Sequence, residues 1–413
     1  MTKKILYQGQ LGDPSGYAVA GRGYLKCLSD YIDTLEEDVD LKLLSISADQ
    51  ASSLTEEEAK FLNQFTFTTQ EEYDEWIMGG NYHYAFHHPP TYAMKIPSTR
   101  PASARSITTT CLTVWETDSI PNAWGDILEH LDVDKVIVPC DWNKEAFDTF
   151  FESRNENKPV QVVPHLINES FIEKDDTDSV PGIIEDNEFT VLTVGQWTDR
   201  KALQNVVKAF CMEFKENPDA TLIVKTYGNI QDARPEYQEY QKKMMVTEIS
   251  KIKNAMLSNS LTQTPKCKLH FLYGLFPKAQ MNYLYQNSDL FALLSRAEGF
   301  GLPIAEALAN ETPVLVHSSG GHVGFTDQKN NFIVDCYKVP SYCTIFPFVY
   351  TCDSNWFETD FHSARTQFRD AYDAWKDGTL TERGTKARDY MFDVTADSVK
   401  LGKQIYDMIV REV

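Results

Sequence analysis

Glu298-Gly299-Phe300-Gly301-Leu302-Pro303-Ile304-Ala305-Glu306 sets two carboxylates seven residues apart around two glycines and a proline. The run before it, Asp289-Leu290-Phe291-Ala292-Leu293-Leu294-Ser295, has the length of a buried strand. The run from Pro303 to Ala309 reads as a helix with proline near its first position. The spacing therefore predicts strand, glycine turn, helix. Gly299 and Gly301 let the backbone approach a ligand without an intervening Cβ, and the N–H groups of a helix start favour an anion such as phosphate. Glu306, about one turn into the helix, is suited to accept hydrogen bonds from sugar hydroxyls, and Glu298 stands at the strand end on the same side. Ordinary capping and a tight turn use the same residue types. Spacing alone leaves a ligand site and a plain strand-to-helix turn both open.

Outward from this stretch, strands and helices alternate. Lys4–Gln8 is a strand, followed by a glycine-bearing loop, Gly9 to Gly16, and a helix from about Tyr17 to Tyr31. Further strands are expected at Leu41–Ser47, Tyr82–Phe86, Ile107–Val114, Lys135–Val138 and Val160–Val163, with helices near Thr55–Gln64, Asn122–His130 and Asn143–Glu152. Between Pro164 and Glu188 the pattern lapses into a charged stretch with Pro181 and Gly182, read as a linker at 166–187. A second series then runs through strands at Phe189–Val194, Ala220–Thr226, Lys268–Leu272, Asp289–Leu294, Val314–Val316 and Asn331–Val334, with helices at Lys201–Glu216, Pro235–Ser258 and Lys278–Gln286. Alternation of this kind implies an α/β protein with parallel sheets covered by helices. Two Rossmann-like domains, 1–165 and 188–394, facing each other across a cleft, are expected. The tail is helical, at Phe361–Trp375, Thr381–Asp389 and Ala396–Val410.

Composition narrows the function classes. The chain has 413 residues, enough for two cores, and 39 Lys plus Arg against 60 Asp plus Glu give a net charge of −21. That balance repels polyanions and disfavours a general nucleic-acid binder. The eight cysteines are scattered, with no CxxC pair and no zinc spacing. No apolar run is long enough to span a membrane, and the N-terminus passes directly into a strand, so a cytoplasmic protein is expected.

Several other positions carry chemistry. In Thr193-Val194-Gly195-Gln196-Trp197-Thr198-Asp199-Arg200-Lys201-Ala202 a strand ends, two cations follow, and a helix begins. Cations at a helix start oppose its dipole, so they need solvent or an anion. A diphosphate held by Arg200, Lys201 and the Gly299–Leu302 backbone, Phe300 and Gly301 included, would supply the anion; a surface ion pair is the alternative for Arg200. Thr113-Val114-Trp115-Glu116-Thr117-Asp118 follows a strand at its C-terminal edge, where α/β sheets bind ligands. His87 and His88 also follow a strand, and one of them is a candidate cleft residue, although histidines beside prolines are as often structural. The first loop lacks a Gly-Lys-Ser/Thr and a clean G-x-G-x-x-G, so it is neither a Walker loop nor a dinucleotide fingerprint.

The E-G-F-G-L-P-x-x-E stretch resembles the E-x7-E signature of retaining GT-B glycosyltransferases, particularly the GT4 family. Gly195 to Ala202 is similar to the family's G-R-F-x-x-R-K-G loop, with Gln196 where the family often has a phosphate-binding Arg and Ala202 where it has Gly. The resemblance implies a GT-B fold in which the last helix, 395–413, completes the N-terminal domain. It implies that Glu298 contacts the donor sugar, Glu306 the ribose and Lys201 the donor phosphates. It places Gly12, Ser15 and Gly16 beside those phosphates, and makes Glu116, with Asp118 second, the candidate facing transferred sugar and acceptor. The implied activity is transfer of a hexosyl or pentosyl group from a nucleotide-sugar, a UDP-sugar above all, to an acceptor hydroxyl with retention. No cofactor beyond that co-substrate and no metal are expected, because the D-x-D at Asp176-Thr177-Asp178 falls in the linker. A glycan, a small molecule, a protein or hydroxymethylated DNA all remain open as acceptors, the last through a basic stripe at Lys95, Arg100 and Arg105. A nucleotide-sugar-binding protein without transferase activity and a hydride-transfer enzyme are the rival classes; the second lacks the acidic residue that its fingerprint needs.

Overall fold

A computed structural model describes residues 2–13, 15–45, 54–87, 106–172, 184, 187–228, 234–255, 266–343 and 349–411. In chain order the elements are β1 (Lys3–Gly9), α1 (Gly16–Ile32), β2 (Val39–Ser45), α2 (Glu56–Asn63), α3 (Gln70–Met78), β3 (Tyr82–His87), β4 (Ser106–Leu112), α4 (Asn122–His130), β5 (Lys135–Val138), α5 (Asp141–Ser153) and β6 (Val160–Val162). They continue with β7 (Phe189–Gln196), α6 (Leu203–Phe214), β8 (Ala220–Tyr227), α7 (Pro235–Ala255), β9 (Lys268–Tyr273), α8 (Lys278–Gln286), β10 (Leu290–Leu293), α9 (Leu302–Ala309), β11 (Val314–His317), β12 (Phe332–Val334), β13 (Cys336–Pro340), β14 (Asn355–Thr359), α10 (Phe361–Lys376), α11 (Leu380–Thr395) and α12 (Ser398–Val410).

The chain divides into two compact units, Met1–Leu166 with Thr395–Val413, and Ile167–Val394. Each contains one six-stranded sheet, ordered β2-β1-β3-β4-β5-β6 in the first and β12-β11-β10-β7-β8-β9 in the second. Every pairing within both sheets is parallel. This is the α/β class that the alternation predicts. In the second sheet the chain lays β8 and β9 to one side of β7, then crosses to lay β10, β11 and β12 on the other. The order therefore reverses between β7 and β10, and the loops leaving those two strands diverge around a crevice, the place where open α/β sheets bind ligands.

Strands buried on both faces explain the near-continuous apolar runs of the second unit. Along β7, Phe189 and Val191 enter one core with Phe210 of α6 and Phe368 of α10. Leu192 and Val194 enter the opposite core with Leu284 of α8 and Ile304 of α9. The period of two that sends alternate residues to opposite faces recurs in β8, with Leu222 and Val224 on the first face and Ile223 on the second. Ile167 is fully buried in the second of these cores, so the packed part of this unit starts inside the expected linker. Most of that linker, Asp176 and Asp178 included, lies outside the described residues, as do His88, Lys95, Arg100 and Arg105.

Two features were not legible in the sequence pattern. α3 lies where no helix is expected; Thr69 caps it by accepting from the Glu72 N–H. β13 and β14 form an antiparallel hairpin beyond the second sheet. Its alternation is short and interrupted, and its partner is itself.

In the first unit α12 packs along α1. Asp397 caps its start, and Lys135, fully buried in β5, donates to the Ile409 carbonyl at 3.1 Å and to that of Arg411. A cation at a helix C-terminus meets the orphan carbonyls and the negative end of the dipole. The two helices approach at Gly402, where an added Cβ would stand 1.9 Å from the Cys27 carbonyl oxygen. Gly402→Ala should therefore prise α12 from α1 and destabilise this unit by about 2–3 kcal/mol. A urea titration followed by far-UV circular dichroism measures this, and an unchanged midpoint would contradict the close packing.

Candidate functional site

The crevice in the second sheet brings together the two stretches that the sequence singles out. After β7 comes the loop Trp197–Ala202, and after β10 comes Leu294–Gly301. Lys201 Nζ holds the Glu298 carboxylate with both oxygens, at 2.6 and 2.9 Å. Arg200 Nη1 lies 3.8 Å from Glu298 Oε2 and donates to the Ala297 carbonyl at 2.8 Å. Glu298 is 5% exposed. Burial works against its ionised form, but the charges of Lys201 and Arg200, with hydrogen bonds from Lys201 and Ser295, outweigh it and hold the carboxyl below its usual range.

The cationic loop is wound tightly. Lys201 N–H donates to Thr198 Oγ1 at 3.2 Å, Ala202 N–H to the Thr198 carbonyl at 3.0 Å, and Ala202 is left-handed, with φ +44°. The helix begins only at Leu203, so Lys201 precedes the first turn instead of lying in it. Arg296 links this loop to its partner: its N–H donates to the Arg200 carbonyl at 2.8 Å and its guanidinium to the Asp199 carbonyl at 2.6 Å.

The glycine turn ends in Gly301, which caps α9 with φ +96°. A residue with a Cβ is strained there, and its Cβ would sit 3.0 Å from Ile304 Cδ1. Ile304 and Ala305 N–H both donate to the Gly301 carbonyl, and Pro303 has no N–H. Among the described residues, the Gly301 and Leu302 N–H groups are the donors that the turn leaves open to a ligand. Glu306, half-buried one turn on, accepts from Tyr285 Oη at 2.9 Å. Burial raises its carboxyl above the usual range, opposed by that hydrogen bond and by the charges of Lys278, Lys201 and Lys225.

Three further groups support this site. Gly321 lies so close to the glycine turn that an added Cβ would be 2.0 Å from the Gly299 carbonyl oxygen, and its N–H donates to the Glu298 carbonyl at 2.8 Å. His322, buried beneath it, bonds the His317 carbonyl through Nε2 at 2.8 Å. Arg296 pairs with Glu358 of β14 at 2.8 Å, so the hairpin braces the same loop. The adjacent Gly320-Gly321 was the available signal; nothing in the sequence marks Glu358.

Gln196 stands at the end of β7 and donates to the Gly228 carbonyl at 3.4 Å. The remaining candidates fall in the first unit. Ser15 caps α1 by accepting from Ala18 N–H at 3.2 Å, its own N–H donates to Asp13 Oδ1 at 2.8 Å, and Gly16 is the first helical residue, with Gly12 buried just before. Glu116 is 5% exposed and accepts from Tyr17 Oη at 3.4 Å, which joins the loop after β4 to the start of α1. Asp118 is half-buried nearby in sequence. His87 is buried, its ring edge-on to Tyr24 with centroids 6.0 Å apart and packed where Gly21 leaves room. Its surroundings are those of a core residue.

Residues 174–342 match the family model described as glycosyl transferases group 1. The chain is 23% identical over 198 residues to poly(glycerol-phosphate) alpha-glucosyltransferase of Bacillus subtilis (strain 168), a match that covers 48% of this chain and 25% of that protein. It thus spans about a quarter of the length of that curated relative. Among solved structures it is similar to the trehalose-6-phosphate synthase OtsA, with a TM-score of 0.63, 12% identity and 100% of both chains covered. It is also similar to Anabaena HepE, solved in complex with UDP and glucose, with a TM-score of 0.57, 15% identity and 98% of both chains covered. The fold is that of GT-B glycosyltransferases.

His317, beneath the glycine turn, gives the site a pH signature. Burial lowers its imidazole to about 4 from the ordinary 6.5, with His322 adding to the effect. The folded state therefore binds its proton less readily than the unfolded chain, and stability falls as pH drops from 6.5 towards 4. The loss approaches about 1.4 kcal/mol per pH unit, about 3 kcal/mol in all. In His317→Gln that part of the slope should vanish, read as the difference between denaturation free energies of the two proteins at pH 7 and pH 4.5. Parallel profiles would show that His317 does not titrate as its burial requires.

Proposed function

We propose that this chain, whose residues 174–342 match the model of glycosyl transferases group 1, transfers a sugar from a UDP-sugar to an acceptor hydroxyl with retained anomeric configuration. The observation that carries the reading is the buried Glu298 carboxylate clasped by Lys201 and Arg200 at the strand-order reversal. Glycosyl transfer from a nucleotide-sugar develops negative charge on the departing diphosphate and positive charge on the sugar. A site built for it needs cations and N–H donors on one side and a carboxylate beside the sugar.

Lys201 fits the first role. Its ammonium is held beside Glu298, and a phosphate oxygen can share or compete for its N–H groups. Arg200 and the open N–H groups of Gly301 and Leu302 add to the same anion site. We read leaving-group stabilisation as falling on these groups, with no metal required. Glu298, fixed by Lys201 and by the Gly321 N–H on its backbone, orients a sugar hydroxyl. Glu306, with Tyr285 already on one oxygen, takes the ribose through the other. Gln196 supplies an amide where a further cation would strengthen phosphate binding. In the first unit, Glu116 is assigned to the acceptor or the transferred sugar, and Gly12, Ser15 and Gly16 to the donor phosphates.

The name of the Bacillus relative, an alpha-glucosyltransferase, and the UDP and glucose held by HepE support a UDP-hexose donor. A glycan or polyol hydroxyl is the acceptor best in keeping with that relative. The basic stripe that would favour DNA lies outside the described residues and lends it no support. Among the described residues no helix is long and apolar enough to cross a membrane.

Lys201→Ala should weaken UDP binding by about ten- to one hundred-fold and slow transfer by about 10²- to 10³-fold. Glu306→Ala should raise the dissociation constant for UDP by about ten-fold or more while sparing inorganic diphosphate. Calorimetry with UDP and a UDP-release assay check both; normal turnover in the two variants would overturn the assignment.

A further inference from the structure

Lys225 is a buried cation to which the proposed chemistry gives no task. It is 3% exposed and stands near the C-terminal end of β8. The alternation that sends Ile223 to the core beneath α8 and α9 sends Lys225 to the same face, nearer the edge of the sheet. There its ammonium donates to the Gly274 carbonyl at 2.8 Å. It lies 4.9 Å from the centre of the Phe276 ring and 5.5 Å from that of Tyr227. Burial pulls the amine down to about 8, and Glu306 is the charge that opposes the shift. Of its three donors, one has a hydrogen-bond acceptor among the described residues. Desolvating an ammonium for a single carbonyl is a poor exchange unless another acceptor arrives.

The neighbourhood suits a flat ligand. Tyr227 and Phe276 present aromatic faces beside the ammonium. At Gly274, with φ +119°, an added Cβ would meet nothing within 4 Å, so the space next to the Lys225 acceptor is open. Tyr227 also feels the charges of Arg200, Glu306 and Glu298, which places this aromatic corner against the site already described. If Glu306 holds the ribose, the base attached to that ribose falls within reach of this corner.

We propose that Lys225 selects the nucleobase of the donor, donating a hydrogen bond to the C4 carbonyl oxygen of uracil between Tyr227 and Phe276. This rests on the nucleotide-sugar reading above. Uracil and cytosine share the C2 carbonyl and differ at C4, where uracil has a carbonyl and cytosine an amino group, and at the adjoining N3. An ammonium has no acceptor to offer an amine, so cytosine leaves donor facing donor.

The test is calorimetric titration of the full chain with UDP and with CDP. The wild type should bind UDP about ten- to one hundred-fold more tightly than CDP. Lys225→Met, which keeps the apolar stem, should lose UDP affinity, keep CDP affinity and bring the ratio towards one. Its retained CDP binding shows that it is folded. Lys225→Gln presents an amide oxygen as well as N–H and should tighten CDP. Lys201→Ala should weaken both nucleotides by a common factor and leave the ratio intact. A Lys225→Met protein that preserves the wild-type ratio, or that loses both nucleotides equally, overturns the selector role while the donor reading stands. A wild type that binds neither nucleotide overturns both.

Discussion

The ion pair between Lys201 and Glu298 is the interaction on which the rest of the site depends. A carboxylate at 5% exposure is unfavourable unless its charge is met, and here one ammonium meets both oxygens with a guanidinium behind it. The two partners are 97 residues apart in sequence. They meet because the order of strands in the second sheet sets β7 directly beside β10. A sheet laid down in simple sequence order would separate their loops by two strands. The chemistry is thus a product of topology first and of residue identity second. The arrangement is pre-organised as well: a cation fixed by a neighbouring carboxylate is in place before an anionic ligand arrives, which spares the ligand the cost of ordering it.

The surroundings of that pair explain why it keeps its geometry. Gly321 presses against the Gly299 carbonyl, and its N–H takes up the Glu298 carbonyl, so the glycine turn has a floor. Arg296 ties the turn to the cationic loop through the Asp199 and Arg200 carbonyls and is itself held by Glu358. Asn205 in α6 donates to Glu358 at 2.7 Å and to Thr359 at 3.1 Å, while His317 meets the same threonine at 2.9 Å. Backbone, hairpin, helix and sheet therefore converge on a few hydrogen bonds, and a shift in any of these would be felt by Glu298.

What could be read in advance follows from range. Local signals were legible: the strand, turn and helix around Glu298–Glu306, the βα alternation, the cations at Arg200 and Lys201. Each rests on residues within a few positions of one another, where periodicity and turn chemistry act. The pairing of Lys201 with Glu298, in contrast, needs the strand order, which periodicity does not encode. The brace from Glu358 depends on a hairpin whose strands are only five residues each. The burial of His87 arises from a tertiary fit, against Tyr24 and the bare backbone of Gly21, that no neighbouring residue announces. Lys225 illustrates the limit most clearly. In sequence it is a lysine near the end of an apolar strand; only the second core, on the face shared with Ile223, shows that its charge is inside.

Ala202 shows how firmly the loop is held. The resembling family has glycine there, and the backbone adopts the left-handed conformation that glycine accepts freely, with φ +44° and ψ +39°. An L-residue in this region costs about 1–2 kcal/mol. The conformation persists because its surroundings over-determine it: Ala202 and Lys201 N–H groups both close onto Thr198, and the Arg200 carbonyl is captured by Arg296. The methyl group is fully buried, which returns part of that cost. A loop that keeps its winding without the residue suited to it is governed by its hydrogen bonds more than by its own preference, and those bonds are the ones that aim Lys201 at Glu298.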